Sequence, residues 1–319
     1  MTDISLGYDP AKPGKYPITK LLIDSDLDGI LCGAMLRIVY PKAEVITADA
    51  TAIQMGEFNS RIDKNTVICD LKYVEGCGLY FDHHISNKPL SDKFPGRWRN
   101  TDSAAHVVYD YYRKDFDLSH FDEIIPEADK FDMGKITLTE VLEPNPVIQL
   151  GMSIRRDDEE FNLHLLELLA KKEFKDVVAD PWVQQVLTEN RESRNRVLTY
   201  LIKHAEIQNK LAFIDMTGFR EKLRVSSFLY TVDFPEVDAA VVFKYGNNPA
   251  GMNVRLYHNN FKKDAFEYDL LKIAREMNPN LSGGHKKTAG FTPQKGENKE
   301  NLIKGMLQLF AKQNKALQS

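Results

Sequence analysis

The residues able to do chemistry in this chain are carboxylates and imidazoles that recur just after short apolar runs. Asp24, Asp26 and Asp28 alternate directly before Gly29. Three carboxylates this close repel one another unless a cation neutralises them, so the triplet reads as divalent-cation chemistry rather than a solvated turn. It also matches the opening of an EF-hand calcium loop. The twelfth position of that loop, where a closing Glu belongs, is Met35, and the residues before the triplet read as a strand where an EF-hand needs a helix. Asp70 follows Thr66-Val67-Ile68-Cys69; alone, an Asp there is more often a cap or turn residue. Asp82-His83-His84 follows Leu79-Tyr80-Phe81 and supplies mixed nitrogen and oxygen donors suited to Mn²⁺, Co²⁺, Fe²⁺ or Zn²⁺. Neighbours on extended backbone point in different directions, so one imidazole can ligate metal while the other faces a substrate. Ala128-Asp129-Lys130-Phe131-Asp132 adds two carboxylates near the end of an expected helix, either of which can be a ligand. No Ser or Cys lies in a recognisable nucleophile motif, and Cys69 reads as a buried strand residue.

These groups need elements that bring them together. Ile18 to Ile23 reads as a strand and Gly29 to Val39 as a helix stopped by Pro41. Further strands are expected at Glu44–Thr47, Thr66–Cys69 and Leu79–Phe81, separated by helix-compatible segments, which is the pattern of a mostly parallel sheet with crossover helices. Ligands gather at the carboxyl ends of such strands, where the acidic and imidazole residues stand. An amphipathic helix over 103–112 follows, then more helical sequence, including a long helix over 183–207. Strands resume at Leu211 and continue through 239–245 and 251–257, with helices over 265–277 and after Glu297. The expected fold class is α/β: a mostly parallel-sheet N-terminal domain with flanking helices (1–178), a helical connector (179–207) and a smaller α/β C-terminal domain (208–319).

The 319 residues carry 18 Gly and 14 Pro, with 43% hydrophobic and 28% charged residues, which excludes collagen-like or wholly disordered chains. No apolar stretch is long enough to span a bilayer, no secretory signal is visible, and three cysteines form no metal-ligand repeat, so a cytoplasmic location and no membrane partner are expected. A net charge of −4 argues against a protein held on nucleic acid by bulk electrostatics, so a polyanion must be gripped locally.

Taken in order, Asp-x-Asp-x-Asp-Gly, then Asp70, then Asp-His-His, then Ala-Asp resembles the four motifs of the DHH phosphoesterase superfamily. Ser282-Gly283-Gly284-His285-Lys286-Lys287-Thr288-Ala289-Gly290 resembles the glycine-rich signature of the DHH-associated domain. Asp24 at the head of the first motif resembles the RecJ exonuclease branch rather than the relatives that begin with His, and Ser282 replaces the first Gly. The resemblance implies two divalent metals, usually Mn²⁺. Asp24, Asp26 and Asp70 would hold one ion; Asp28, Asp70, His83 and Asp129 the other, with Asp70 bridging. Asp70, His83 and His84 would form the catalytic group, His84 contacting the scissile phosphate, and Asp132 is a candidate to orient a ligand. Gly283 and Gly284 form an expected turn whose N–H groups approach an anion, with His285, Lys286 and Arg255 adding charge.

The leading expectation is a Mn²⁺-dependent phosphoesterase cutting the phosphodiester bonds of short nucleotides: oligoribonucleotides, dinucleotides or 3′-phosphoadenosine phosphate. Exopolyphosphatase activity on inorganic polyphosphate is the alternative, and a non-catalytic nucleotide-binding module the third reading. A homodimer is compatible with all three. Base stacking would need an aromatic near the site, with Tyr257, Phe291 or Tyr73 as candidates.

Overall fold

The computed structural model describes residues 5–6, 15–91, 93–219, 228–246, 248 and 250–318. The described chain forms two compact units, one comprising Met1–Ile136 with Glu143–Glu189 and the other Thr137–Leu142 with Asn190–Ser319.

The first unit is built on a six-stranded sheet. Its strands are β1 (Ser5–Leu6), β2 (Lys20–Asp24), β3 (Glu44–Ala48), β4 (Thr66–Cys69), β5 (Leu79–Asp82) and β6 (Gly96–Arg99), in the order β1-β6-β5-β4-β2-β3. All neighbours pair in parallel except β1, which runs antiparallel to β6. The central strands read as continuous apolar runs because both faces are covered. Leu21, Ile23, Val67, Cys69 and Phe81 face one core, while Leu22, Ile46, Ile68 and Tyr80 face the other. The helices of this unit are α1 (Leu27–Val39), α2 (Ala50–Gln54), α3 (Ala104–Tyr112) and α4 (Ile125–Asp132). A segment assigned to the second unit, α5 (Leu138–Leu142), interrupts the series, which resumes with α6 (Pro146–Ser153), α7 (Glu159–Lys171) and α8 (Phe174–Val178). The larger core joins α1, α3 and α7 to one face of the sheet. Strand order reverses between β2 and β4: the chain leaves β2 for β3 on one side and returns to β4 on the other. That reversal is the switch point at which open α/β sheets form a crevice.

The long helix is α9 (Pro181–Lys203), and the division between the units falls within it. The second unit has its own six-stranded sheet, ordered β11-β12-β10-β9-β8-β7, from β7 (Ala205–Gln208), β8 (Leu211–Met216), β9 (Ala239–Tyr245), β10 (Met252–His258), β11 (Ser282–His285) and β12 (Thr288–Phe291). Among the described strands of this sheet, only β8 and β9 pair in parallel. Its helices are α10 (Leu229–Val232), α11 (Leu270–Met277) and α12 (Lys299–Gln318). Val241, Phe243, Val254, Leu256, Ala289 and Phe291 point from one sheet face into a core with α11 and α12, which leaves alternate residues on the opposite face.

No helix among the described residues is long and apolar enough to cross a membrane. Cys32, Cys69 and Cys77 are buried free thiols.

Candidate metal centre

The parallel strands deliver the expected residues to one edge of the first sheet. Asp24 ends β2, Asp70 directly follows β4, and Asp82 ends β5 with His83 and His84 after it; these three strands are neighbours in the order β5-β4-β2. The turn after β2 is tight enough that Asp26 becomes the N-cap of α1, its carboxylate accepting the Gly29 N–H at 3.2 Å. A Cβ on Gly29 would lie 2.1 Å from the Asp24 carbonyl oxygen, so the glycine is required by close approach of α1 to the end of β2. The Asp-x-Asp-x-Asp-Gly run is therefore a strand-to-helix corner and not a calcium loop.

Asp28 lies in the first turn of α1 and reaches to α3. Its two oxygens accept the N–H groups of Ala104 and Ala105, at 2.8 and 2.6 Å, at the helix N-terminus capped by Ser103. Asp70 takes a left-handed backbone conformation, φ 57°, with its N–H bonded to the Phe81 carbonyl at 3.0 Å. Such a conformation costs a non-glycine residue about 1–2 kcal/mol, and the cost here is tied to presenting one carboxylate.

His83 is buried and donates its Nδ1 proton to the Thr101 carbonyl at 3.1 Å, which leaves Nε2 as a lone pair. That nitrogen faces Asp132 at 3.3 Å, Asp28 at 3.6 Å and Asp70 at 4.0 Å. Burial, then the neighbouring His84, hold the His83 imidazole below its ordinary pKa. Asp82 does different work. One of its oxygens accepts from Tyr80 and Asn87, and the other from the His83 and His84 backbone N–H groups and the His84 ring. Burial opposes its ionisation, but these donors hold it below the usual carboxylate range. Asp82 thereby fixes the orientation of His84, which is also 3.3 Å from Asp70 and stays half-exposed. Burial opposes a charge on His84, yet the Asp82 hydrogen bond and charge prevail and raise its pKa.

Three overlapping donor groups result, each with ligand atoms within 4.8 Å of one another: Asp24, Asp26 and Asp70; Asp28, His83 and Asp132; and Asp70, Asp82, His83 and His84. The resemblance implied Asp24, Asp26 and Asp70 for one ion and Asp28, Asp70, His83 and Asp129 for the other; the structure brings the first three together, and beside Asp28 and His83 it places Asp132 and not Asp129, with Asp70 4.0 Å from His83. Asp132 faces His83, whereas Asp129, three residues earlier on α4, accepts from Ser103 at 2.5 Å and bonds His106 at 2.7 Å. Residues three apart on a helix differ by about 60° in direction, enough to turn Asp129 toward the start of α3 and away from the cluster.

The donor chemistry fits divalent cations. Among the described residues, Asp70 Oδ1 and His83 Nε2 are buried acceptors without a hydrogen-bond partner, 4.0 Å from each other. Burial followed by the charges of neighbouring carboxylates pushes Asp28 and Asp70 well above the usual range, and lifts Asp24 and Asp132 to about 7. Carboxylates that resist ionising until a cation compensates them, beside a neutral imidazole, form a mixed oxygen and nitrogen site.

Sequence reasoning missed Arg156. Its guanidinium contacts Asp24 and Asp49 at 3.0 Å and Asp26 at 3.2 Å. Asp49 follows β3 directly, so the strand-end rule that selected Asp70 would have found it. Arg156, beyond the end of α6, carries no local signature.

In the second unit the glycine signature is a β-hairpin. Gly283 and Gly284 lie within edge strand β11, paired with Gly290 and Ala289, and the turn falls at Lys286-Lys287 instead of the expected Gly283-Gly284. A Cβ on Gly284, at φ 122°, would lie 2.4 Å from the Thr288 carbonyl oxygen; this glycine serves strand approach. Arg255, Gly283 and His285 share the sheet face opposite the core, whereas Lys286 stands in the turn, 3.5 Å from Glu267. Phe291 points into the core, Tyr73 packs on Tyr80 and Phe94, and Tyr257 stacks on Tyr230.

No family model and no curated protein matches the sequence. Among solved structures, a pGpG-specific phosphodiesterase, PggH from Vibrio cholerae, superposes with a TM-score of 0.77 at 19% identity, covering 92% of this chain and 99% of that one. Exonuclease RecJ bound to manganese gives 0.52 at 13% identity, covering 86% of each chain. RecJ from Thermus thermophilus in complex with Mn²⁺ gives 0.55 at 12% identity, over 86% of this chain and 49% of that one. At these identities the likeness is one of fold, and it extends over both units.

Proposed function

We propose that this chain, whose fold is that of the DHH phosphoesterases, is a two-metal hydrolase of phosphodiester bonds in short nucleotides. The observation that carries the reading is the pair of donor sets at the switch point, with Asp70 Oδ1 and His83 Nε2 buried and unsatisfied between them. Asp24, Asp26 and Asp70 would hold one cation; Asp28, Asp70, His83 and Asp132 the other. Two such ions, when bound, lower the pKa of an attacking water and offset the charge that develops on the phosphoryl oxygens.

The remaining work belongs to the protein. Thr101 fixes the His83 tautomer that offers a lone pair. Asp82 orients His84 through Nδ1 and raises its pKa, which favours the protonated form in which Nε2 would be the donor for a phosphoryl oxygen. The α3 N-terminus positions Asp28. None of this needs a protein nucleophile. A short nucleotide is favoured because the chain's net charge of −4 offers little bulk attraction for a long polyanion, and a neighbour of the same fold is a phosphodiesterase specific for pGpG.

A substrate panel tests the reading. With Mn²⁺, linear dinucleotides are expected to turn over faster than oligonucleotides of increasing length, with 3′-phosphoadenosine phosphate compared alongside and no turnover in chelator. Turnover of polyphosphate alone would assign the site to exopolyphosphatase chemistry, and binding without turnover of any phosphoester would make the chain a non-catalytic module.

A further inference from the structure

We infer that Arg156 has two successive partners: in the metal-free chain its guanidinium stands on the carboxylates of Asp24 and Asp26, and in the metal-loaded chain it grips the scissile phosphoryl group from the side opposite His84. The substrate is the one that the hydrolase reading assigns to this site, and on that reading Arg156 is a further catalytic residue.

The guanidinium is spread over three carboxylates that differ in depth. Nη1 donates to Asp49 at 3.0 Å and lies 3.0 Å from Asp24 Oδ1. Nη2 donates to Asp24 Oδ2 at 3.3 Å and to Asp26 Oδ2 at 3.2 Å. Asp24 is buried, Asp26 is partly covered, and Asp49 is half-exposed like Arg156 itself. Asp24 and Asp26 belong with Asp70 to the first donor set, whereas Asp49 belongs to none of the sets formed by the described residues. A cation entering that set takes oxygens of Asp24 and Asp26 and frees Nη2, while Nη1 can keep its bond to Asp49. The backbone beneath is fixed. The Arg155 carbonyl accepts from the buried Asn162 side chain at 2.7 Å and from the Asp158 N–H at 3.1 Å, and the Arg155 side chain is occupied with Asp157. The turn between α6 and α7 thus anchors a long side chain whose half-exposed tip can turn without moving the fold.

Strand order sets the freed donor against the other donor of the site. Along β5-β4-β2-β3, His84 lies just beyond β5, Asp70 directly follows β4, Asp24 ends β2 and Asp49 directly follows β3. His84 is 3.3 Å from Asp70, and Arg156 is 3.0 Å from Asp24. The two side chains therefore flank the cluster from opposite sides, with Asp70 between them. A phosphoryl group drawn to ions there has an imidazole donor on one side and a planar guanidinium on the other, and the guanidinium can meet two of its oxygens at once. Charge favours the same arrangement. With Asp24, Asp26 and Asp49 ionised, Arg156 leaves two negative charges, which one divalent ion cancels. Without Arg156 one negative charge would remain beside an anionic substrate and repel it.

Three measurements on the full chain test this, comparing wild type with Arg156→Ala, each first shown by its melting temperature to be folded. Without substrate, calorimetry should show Mn²⁺ bound about tenfold tighter by the variant. At saturating Mn²⁺, a nucleoside 5′-monophosphate should bind at least about tenfold weaker to the variant. Under the same conditions dinucleotide turnover should fall at least about 100-fold. Arg156→Gln, which keeps bulk and removes the charge, should give the same signs and is read in place of Ala if Ala proves unstable. Tighter metal together with weaker phosphate is a pair of opposite effects that a merely structural role does not produce. Monophosphate affinity within about threefold of wild type, or weaker Mn²⁺ binding alongside lost turnover, would overturn the inference. The two readings fail separately. Monophosphate binding that depends on Arg156, without Mn²⁺-dependent turnover in the wild type, sinks only the hydrolase; dinucleotide turnover that Arg156→Ala leaves unchanged sinks only the role of Arg156.

Discussion

His83 donates its Nδ1 proton to the Thr101 carbonyl and so turns an unprotonated Nε2 toward Asp132, 3.3 Å away. Once Asp132 has lost its proton, the lone pair and the carboxylate repel each other, and a cation between them removes that repulsion. The surrounding carboxylates make the same point through protons. Burial first, and like charge second, lift Asp24 and Asp132 to about 7. The folded chain therefore keeps protons that the unfolded chain releases between about pH 4 and 7, and the metal-depleted protein loses stability as pH rises through that window. Cations bind the deprotonated form, so Mn²⁺ affinity should rise from about pH 5.5 to 8 with proton release on binding. Calorimetry in buffers of different ionisation enthalpy checks this, and affinity independent of pH would contradict it.

The two carboxylates of α4 should separate cleanly. Asp132→Asn is expected to weaken Mn²⁺ binding and lower turnover by more than about 100-fold, since even groups that only orient a ligand cost about 10–100-fold. Asp129→Asn removes the partner of Ser103 and His106 and should act mainly on stability, with metal affinity changed less than about tenfold. Metal titration of both variants decides, and the reverse ranking would return Asp129 to the site.

Gly29→Ala places a Cβ against the backbone of β2, with no flexible side chain to give way. A loss of about 1–3 kcal/mol is expected in urea unfolding, together with weaker metal binding, because the corner that seats Asp24, Asp26 and Asp28 must shift. A variant with wild-type stability and affinity would show that the corner is not under this constraint.

Arg156 shares the oxygens of Asp24 and Asp26 that a cation would use. Arg156→Ala should tighten Mn²⁺ binding by about tenfold, because the site no longer has to give up an internal positive charge. In chelator the same variant should melt about 2–4 °C lower, as Asp24, Asp26 and Asp49 then face one another uncompensated. Unchanged Mn²⁺ affinity would mean that the guanidinium and the ion do not compete.

The features of the fold and site that are legible in the sequence are those encoded locally. An apolar run buried on both faces followed at once by Asp names both a parallel strand and its carboxyl end, which is why Asp24, Asp70 and Asp82 could be placed before any coordinates. The choice between Asp129 and Asp132 depends on how α4 is rotated against α1 and α3, and no local pattern specifies it. Gly283-Gly284 reads as a turn by residue preference, but pairing with β12 draws it into a strand and moves the turn to two lysines. Arg156 reaches carboxylates more than a hundred positions earlier in the chain, a relationship that only the fold creates.

The most direct measurement is the initial rate of dinucleotide hydrolysis against Mn²⁺ concentration for wild type and Asp70→Asn. Asn tolerates the left-handed backbone of this position and preserves shape while removing charge. Saturable, Mn²⁺-dependent cleavage is expected in the wild type, with abolition by chelator and loss of at least about 100-fold in Asp70→Asn with the fold intact. Cleavage that survives chelation, or that Asp70→Asn leaves unchanged at saturating Mn²⁺, would contradict it.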